Sequence, residues 1–151
     1  MPSSAVHDVH CHFVPPATRE FLAAAPSVTL TERGIVRGAA VLPLPGRLSG
    51  LGAFDAHRAA LAGVVVAPPP ALYLEDVAAE NGDYVLEVNG PLADLARDRQ
   101  GVSALAWLPL SSPEAAVTEV ERIAADDTVA GVVVGTSLGA AVADPSLAAV
   151  W

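Results

Sequence analysis

Short apolar runs alternate with segments of helical period. Val64-Val65-Val66-Ala67, Val102 to Leu108 and Val129 to Val134 carry almost no polar alternation, the pattern of strands buried on both faces. Residues 5–12 predict a strand ahead of them, built on Val6, Val9 and Phe13. Between the strands, Phe54, His57 and Leu61 fall at i, i+3 and i+7, predicting a short helix over 53–62 that Gly63 stops. Residues 74–99 are helical in pattern, with Gly82 and Gly90-Pro91 expected to break or kink them. Ser111-Ser112-Pro113-Glu114 reads as a helix start, and Val117, Val120, Ile123 and Ala124 then line one face. Pro16 to Ala25 predicts a further short helix. Residues 27–44 predict a hairpin turning at Glu32-Arg33-Gly34, before a loop at Pro43, Pro45, Gly46 and Gly50. Asp144-Pro145-Ser146 begins one more helix about a turn before Trp151.

The order is strand then helix, four times, which implies a parallel sheet. An eight-unit βα barrel takes ~250 residues, or roughly 30 per unit. Strands starting near 5, 63, 102 and 129 fit that rhythm if residues 13–50 are an insertion after the first strand, placed to cover its end. The expected fold is α/β: the first half, about four βα units, of a TIM-type (β/α)8 barrel, as one unit over residues 1–151. A small doubly wound sheet is the competing architecture, and the end of the chain after four units favours the half-barrel. Its first and fourth strands would be open edges that invite self-association.

Composition narrows the partners. The 151 residues are 52% apolar, too rich for disorder, and no apolar run approaches the ~20 residues of a membrane helix. The formal charge is −9, with eight Arg and no Lys. Such acidity argues against nucleic acid and anionic membranes. The lack of Lys removes Schiff-base chemistry, P-loop chemistry and any carbamylated lysine bridging two metals. One cysteine excludes an internal disulfide. Met1-Pro2-Ser3-Ser4 has no signal-peptide character, so a cytoplasmic location is expected.

The chemistry concentrates in Val6-His7-Asp8-Val9-His10-Cys11-His12-Phe13, which holds three of the four histidines. Simple strand alternation puts Asp8, His10 and His12 on one face and His7, Val9 and Cys11 on the other. Two adjacent imidazoles suit one divalent ion, zinc above all. On its own the pair also fits a polar strand end facing solvent. Asp8 either supports a histidine ligand or caps a backbone amide, and the residues leave both open. Cys11 reads as a buried free thiol, Trp107 as core, and Glu114, Glu119 and Glu121 as a solvated helix face.

Several segments together resemble the amidohydrolase superfamily, in the branch of 2-amino-3-carboxymuconate 6-semialdehyde decarboxylase. They are Asp8-Val9-His10-Cys11-His12-Phe13-Val14-Pro15, Ala67-Pro68-Pro69-Pro70, Leu108 to Val117, and Gly131 to Ser137 with Asp144-Pro145 and Leu147. The segments occur in the family's order. Asn89-Gly90, followed by Pro91, departs from the family's Asn-acid pair. The resemblance implies a metal-dependent decarboxylase, a carbon–carbon lyase acting on an unsaturated or aromatic carboxylic acid. One divalent metal, expected to be zinc, would be held by His10 and His12. It also matches Arg37 to an arginine facing the substrate carboxylate, although a surface arginine is the simpler reading. The family's remaining ligands, a His and an Asp, and its catalytic His belong to later strands, and these residues contain none of them. Taken alone, the 151 residues are therefore expected to be inactive. A metal-dependent hydrolase on the same scaffold, a non-catalytic fragment, and a small α/β binding domain are the alternatives.

Overall fold

The structure is a computed structural model that describes residues 6–26, 28–44, 50–135 and 142–151. The loop reading at Pro45 and Gly46, and the strand end at Thr136-Ser137, lie outside the described residues. Four strands form a parallel sheet: β1 (His7–His12), β5 (Gly63–Ala67), β6 (Val102–Trp107) and β7 (Val129–Val133), in the spatial order β1-β5-β6-β7. Between β1 and β5 the chain makes a second, antiparallel sheet from β2 (Thr29–Thr31), β3 (Gly34–Arg37) and β4 (Ala40–Leu42). The helices are α1 (Pro16–Ala24), α2 (Leu51–Arg58), α3 (Glu75–Glu80), α4 (Asp83–Arg97) and α5 (Pro113–Ile123).

Spatial order in the parallel sheet follows chain order, with no reversal. A doubly wound sheet needs such a reversal to open its ligand crevice. Right-handed crossovers running one way carry their helices to one face. Phe54 of α2 and Leu92, Leu95 and Ala96 of α4 accordingly pack on Cys11, Val64, Val66, Val102 and Ala104. The opposite face is less covered. Val65, Ser103 and Leu105 are only half-buried there. The outer strands also show apolar side chains to solvent, with Val9 71% and Val132 40% exposed.

A second cluster closes the C-terminal ends of the strands. Leu22 of α1, Ile35 of the small sheet, Leu72, and Tyr84 and Val88 of α4 gather with Trp107. Tyr73 stacks on Trp107 with ring centroids 5.6 Å apart, and Tyr84 meets it edge-on at 6.1 Å. The expected hairpin is thus a three-stranded meander. Its second turn uses Gly38 at φ +58°, a left-handed conformation that favours glycine. At Gly34 (φ +135°) a Cβ would collide with the carbonyl of Leu42, so glycine is required.

The helical region differs from expectation at two points. The break at Gly82 is present, but α4 runs through Gly90-Pro91 without interruption. Proline offers no amide to the carbonyl four residues back, which here is Glu87. The Oγ1 hydroxyl of buried Thr18, on α1, donates to that carbonyl at 2.9 Å. A neighbouring helix thus satisfies what the proline leaves open. Glu119, expected on a solvated face, is 3% exposed. It accepts from Asn89 Nδ2 at 2.7 Å and from Arg122. Asn89 in turn donates to the Trp107 carbonyl and accepts from the Trp107 amide, both at 2.9 Å. Its side chain continues the ladder of β6 where β5 has already ended.

The α1–α4 joint makes a direct prediction. Thr18→Val keeps the shape and removes the donor, and should destabilise the chain by about 1–2 kcal/mol. In a Pro91→Ala background, which restores an amide to Glu87, the same change should cost much less. Urea unfolding midpoints of the four proteins of the cycle measure this coupling.

Candidate functional site

The site begins with an irregularity in β1. His7 pairs with Gly63, Asp8 with Val64, Cys11 with Val66 and His12 with Ala67. Two residues, Val9 and His10, therefore stand against one, Val65. This is a β-bulge, uncommon between parallel strands, and it resets which side chains share a face. Asp8 and Cys11 both lie on the helix-covered side with Val64 and Val66, and His12 lies on the other. Simple alternation grouped Asp8 with the two histidines and set Cys11 apart; the extra residue overturns that grouping. Asp8 also stabilises the bulge, because its Oδ1 accepts from the His10 backbone amide at 3.1 Å. The capping role left open for Asp8 is therefore observed.

His10 and His12 stay together. Their rings meet edge-on at 4.5 Å, and their Nε2 atoms stand 3.1 Å apart. Two nitrogens bound to one zinc at ~2.0–2.1 Å are separated by roughly 3.3 Å in a tetrahedral array, so the pair fits an ion between them. Burial and the neighbouring His10 hold the His12 imidazole below its usual range, which favours the neutral form that ligates metals. The carbonyls of Ala67 and Pro68 pull the other way, but neither completes a hydrogen bond to His12 Nδ1, which is buried without a partner.

A second group lies across the strand. His57, in the last turn of α2, pairs through Nε2 with Asp8 Oδ2 at 2.8 Å. With Cys11 Sγ, these donors all fall within 4.8 Å of one another, a possible metal-binding group. The hydrogen bond with His57 comes first in holding the Asp8 carboxyl below its ordinary value, followed by the His10 amide. Burial, reinforced by Asp8, pushes the Cys11 thiol up to about 11. Periodicity alone places His57 with Phe54 and Leu61 on one face of the 53–62 helix and assigns it no chemistry. The signal for it was topological: the helix leading into the strand beside β1 ends near the start of β1.

Arg37 and Trp107, also singled out from sequence, take structural places, as does Glu75, which the sequence did not single out. Arg37, matched by resemblance to a substrate arginine, binds both oxygens of Asp76 at the start of α3, with Nη1 to Oδ1 at 2.8 Å. Trp107 is fully buried, as expected for core, and its Nε1 has no hydrogen-bond partner. Glu75 accepts from the Ser111 hydroxyl at 2.8 Å and from its amide at 3.0 Å. Among the described residues, no helix is long and apolar enough to cross a membrane. Comparison with protein-family models and with curated proteins finds no match for this chain.

The Arg37 pair predicts a pH dependence. Its hydrogen bonds are the main cause that lowers the Asp76 carboxyl to about 2. A carboxylate held low in the folded state adds stability above its unfolded value of 3.8 and loses it as pH falls through the folded value. The tie between the small sheet and α3 should therefore persist at pH 4 and weaken toward pH 2. Titration of the Asp76 carboxyl carbon by NMR should show the low midpoint, and Arg37→Gln should return it toward 3.8.

Proposed function

We propose that these residues form the first half of an amidohydrolase-type (β/α)8 barrel in a cytoplasmic metal-dependent enzyme. In this reading His10 and His12 are two ligands of one divalent ion, zinc, at the C-terminal ends of the strands. The observation that carries it is the 3.1 Å approach of the two Nε2 atoms from neighbouring positions of one strand. Four parallel strands in chain order, followed by helices on one side, support the half-barrel. A sheet face left half-covered is what a second half would close over. A single free thiol suits a reducing compartment.

The reaction is the decarboxylation of a small unsaturated or aromatic carboxylic acid. When bound, the ion would supply Lewis acidity toward the substrate and its attendant water. The residues of this chain do the holding. His10 and His12 present imidazole nitrogens from one face of β1. Asp8 fixes the bulge that sets the level of His10, and the carbonyls of Ala67 and Pro68 lie beside the His12 ring. Arg37 already has a carboxylate of this chain, Asp76, in the place a substrate would take. The remaining ligands and the proton-transferring His of this scheme would come from the second half of the barrel.

The chain's four histidines make the test site-specific. Zinc is titrated into the Cys11→Ser chain, which disables the group on the opposite face, while the imidazole NMR signals are followed. His10 and His12 should respond together. His12→Ala should abolish the response of His10 and weaken binding by more than the ~10–100-fold that losing an outer partner costs. The zinc-loaded 151-residue chain should show no turnover of aromatic or unsaturated carboxylates. Zinc binding indifferent to both His10→Ala and His12→Ala overturns the metal reading, and turnover by this chain alone overturns the half-site reading.

A further inference from the structure

Strand β1 is an outer strand of the sheet, and α2 lies against its covered face. Asp8 and His57 join the two elements. Their donor atoms, 2.8 Å apart, are already closer than two ligands of one zinc stand. With Zn–O and Zn–N near ~2.0–2.1 Å and Zn–S near ~2.3 Å, tetrahedral donors sit roughly 3.3–3.5 Å apart. The Cys11 sulfur lies within 4.8 Å of both partners, so closure by roughly 1 Å completes three positions. The side chain with room to close is His57, 38% exposed at the end of α2. We propose that Asp8 Oδ2, Cys11 Sγ and His57 Nε2 form a zinc site that clamps β1 to α2, separate from the His10–His12 pair and independent of the amidohydrolase reading.

The surroundings suit the assignment. The second Asp8 oxygen is held by the His10 amide, so the carboxylate is oriented as outer partners orient metal ligands. Cys11 is buried beside Phe54 and Val64, which give the site a dry inner wall. Asp8 is 28% exposed on its side chain, which leaves an entry path and a fourth position for water. A thiolate donor selects zinc over magnesium or calcium. On binding, a Zn–S bond replaces the S–H bond of Cys11, and that proton leaves to solvent. Neutral His57, whose Nε2–H donates to Asp8 before binding, moves that proton to Nδ1 by exchange with solvent and turns the freed Nε2 lone pair to the ion, ending its hydrogen bond with Asp8. One proton is released per zinc.

Cobalt(II) reports the site directly, because Cys11 is the only thiol in the chain. Cobalt should produce a thiolate-to-metal charge-transfer band and tetrahedral visible bands, both displaced by zinc. Cys11→Ser and His57→Ala should each abolish the charge-transfer band, and the His10→Ala, His12→Ala double variant should retain it. Zinc should raise the thermal midpoint of the wild-type chain by clamping β1, and this rise should vanish in His57→Ala. Cobalt binding without a charge-transfer band overturns the clamp while leaving the His10–His12 reading standing. A band that survives His57→Ala also overturns it. Loss of the band in the double histidine variant would merge the two sites and overturn their separation.

Discussion

The pairing of β1 with β5, three steps against two, is the constraint on which the chemistry of this chain depends. One extra residue in an edge strand costs ladder hydrogen bonds and is kept because Asp8 supplies a carboxylate to the stranded amide of His10. The same carboxylate reaches His57 with its other oxygen. A single side chain thereby joins the backbone geometry beneath the two histidines to the packing of α2. Because the bulge sends Asp8 and Cys11 to the helix side, β1 presents hard and soft donors to one face and a pair of imidazoles to the other. The two sets need not compete for one ion.

The helix layer is held by polar groups as much as by apolar ones. Buried polar atoms are costly unless paired, and here the pairing is done across elements. Thr18 serves Glu87, Asn89 serves Trp107, and Glu119 ties Asn89 to Arg122. Each of these bonds fixes the position of α4 against something else: α1, the end of β6, or α5. Together they seat α4 against the sheet whose other face carries His12. The aromatic group around Trp107 closes the top of the same layer, and Tyr73 and Tyr84 spend their hydroxyls on the carbonyls of Pro68 and Leu72.

Most of the architecture was readable along the chain because buried parallel strands and glycine or proline stops leave strong local marks. Val64–Ala67 and Val129–Val133 needed no tertiary knowledge. The bulge left no such mark: Val9 is as strand-like as its neighbours, and nothing local shows that it is the added residue. Glu119 looked solvated because its partner, Asn89, lies 30 residues away. Pro91 looked like a helix breaker because its remedy, Thr18, sits on another helix. His57 carried no chemical signal in the sequence because its role depends on which strand the following segment joins. In each case the missing information was a long-range pairing. The His-x-His pair, by contrast, was legible at once, since both residues lie on one strand two positions apart.

The bond between Thr18 and Glu87 also constrains how this sequence can change over time. Thr18 answers a vacancy that Pro91 creates, so the two positions are not free to drift independently. A lineage that loses the proline first regains the helix's own amide and can then exchange Thr18 for an apolar residue at little cost. A lineage that loses the threonine first must pass through a state with an unanswered carbonyl between α1 and α4. The favoured order of substitution is set by the direction of one hydrogen bond, and related chains should hold the threonine wherever they hold the proline.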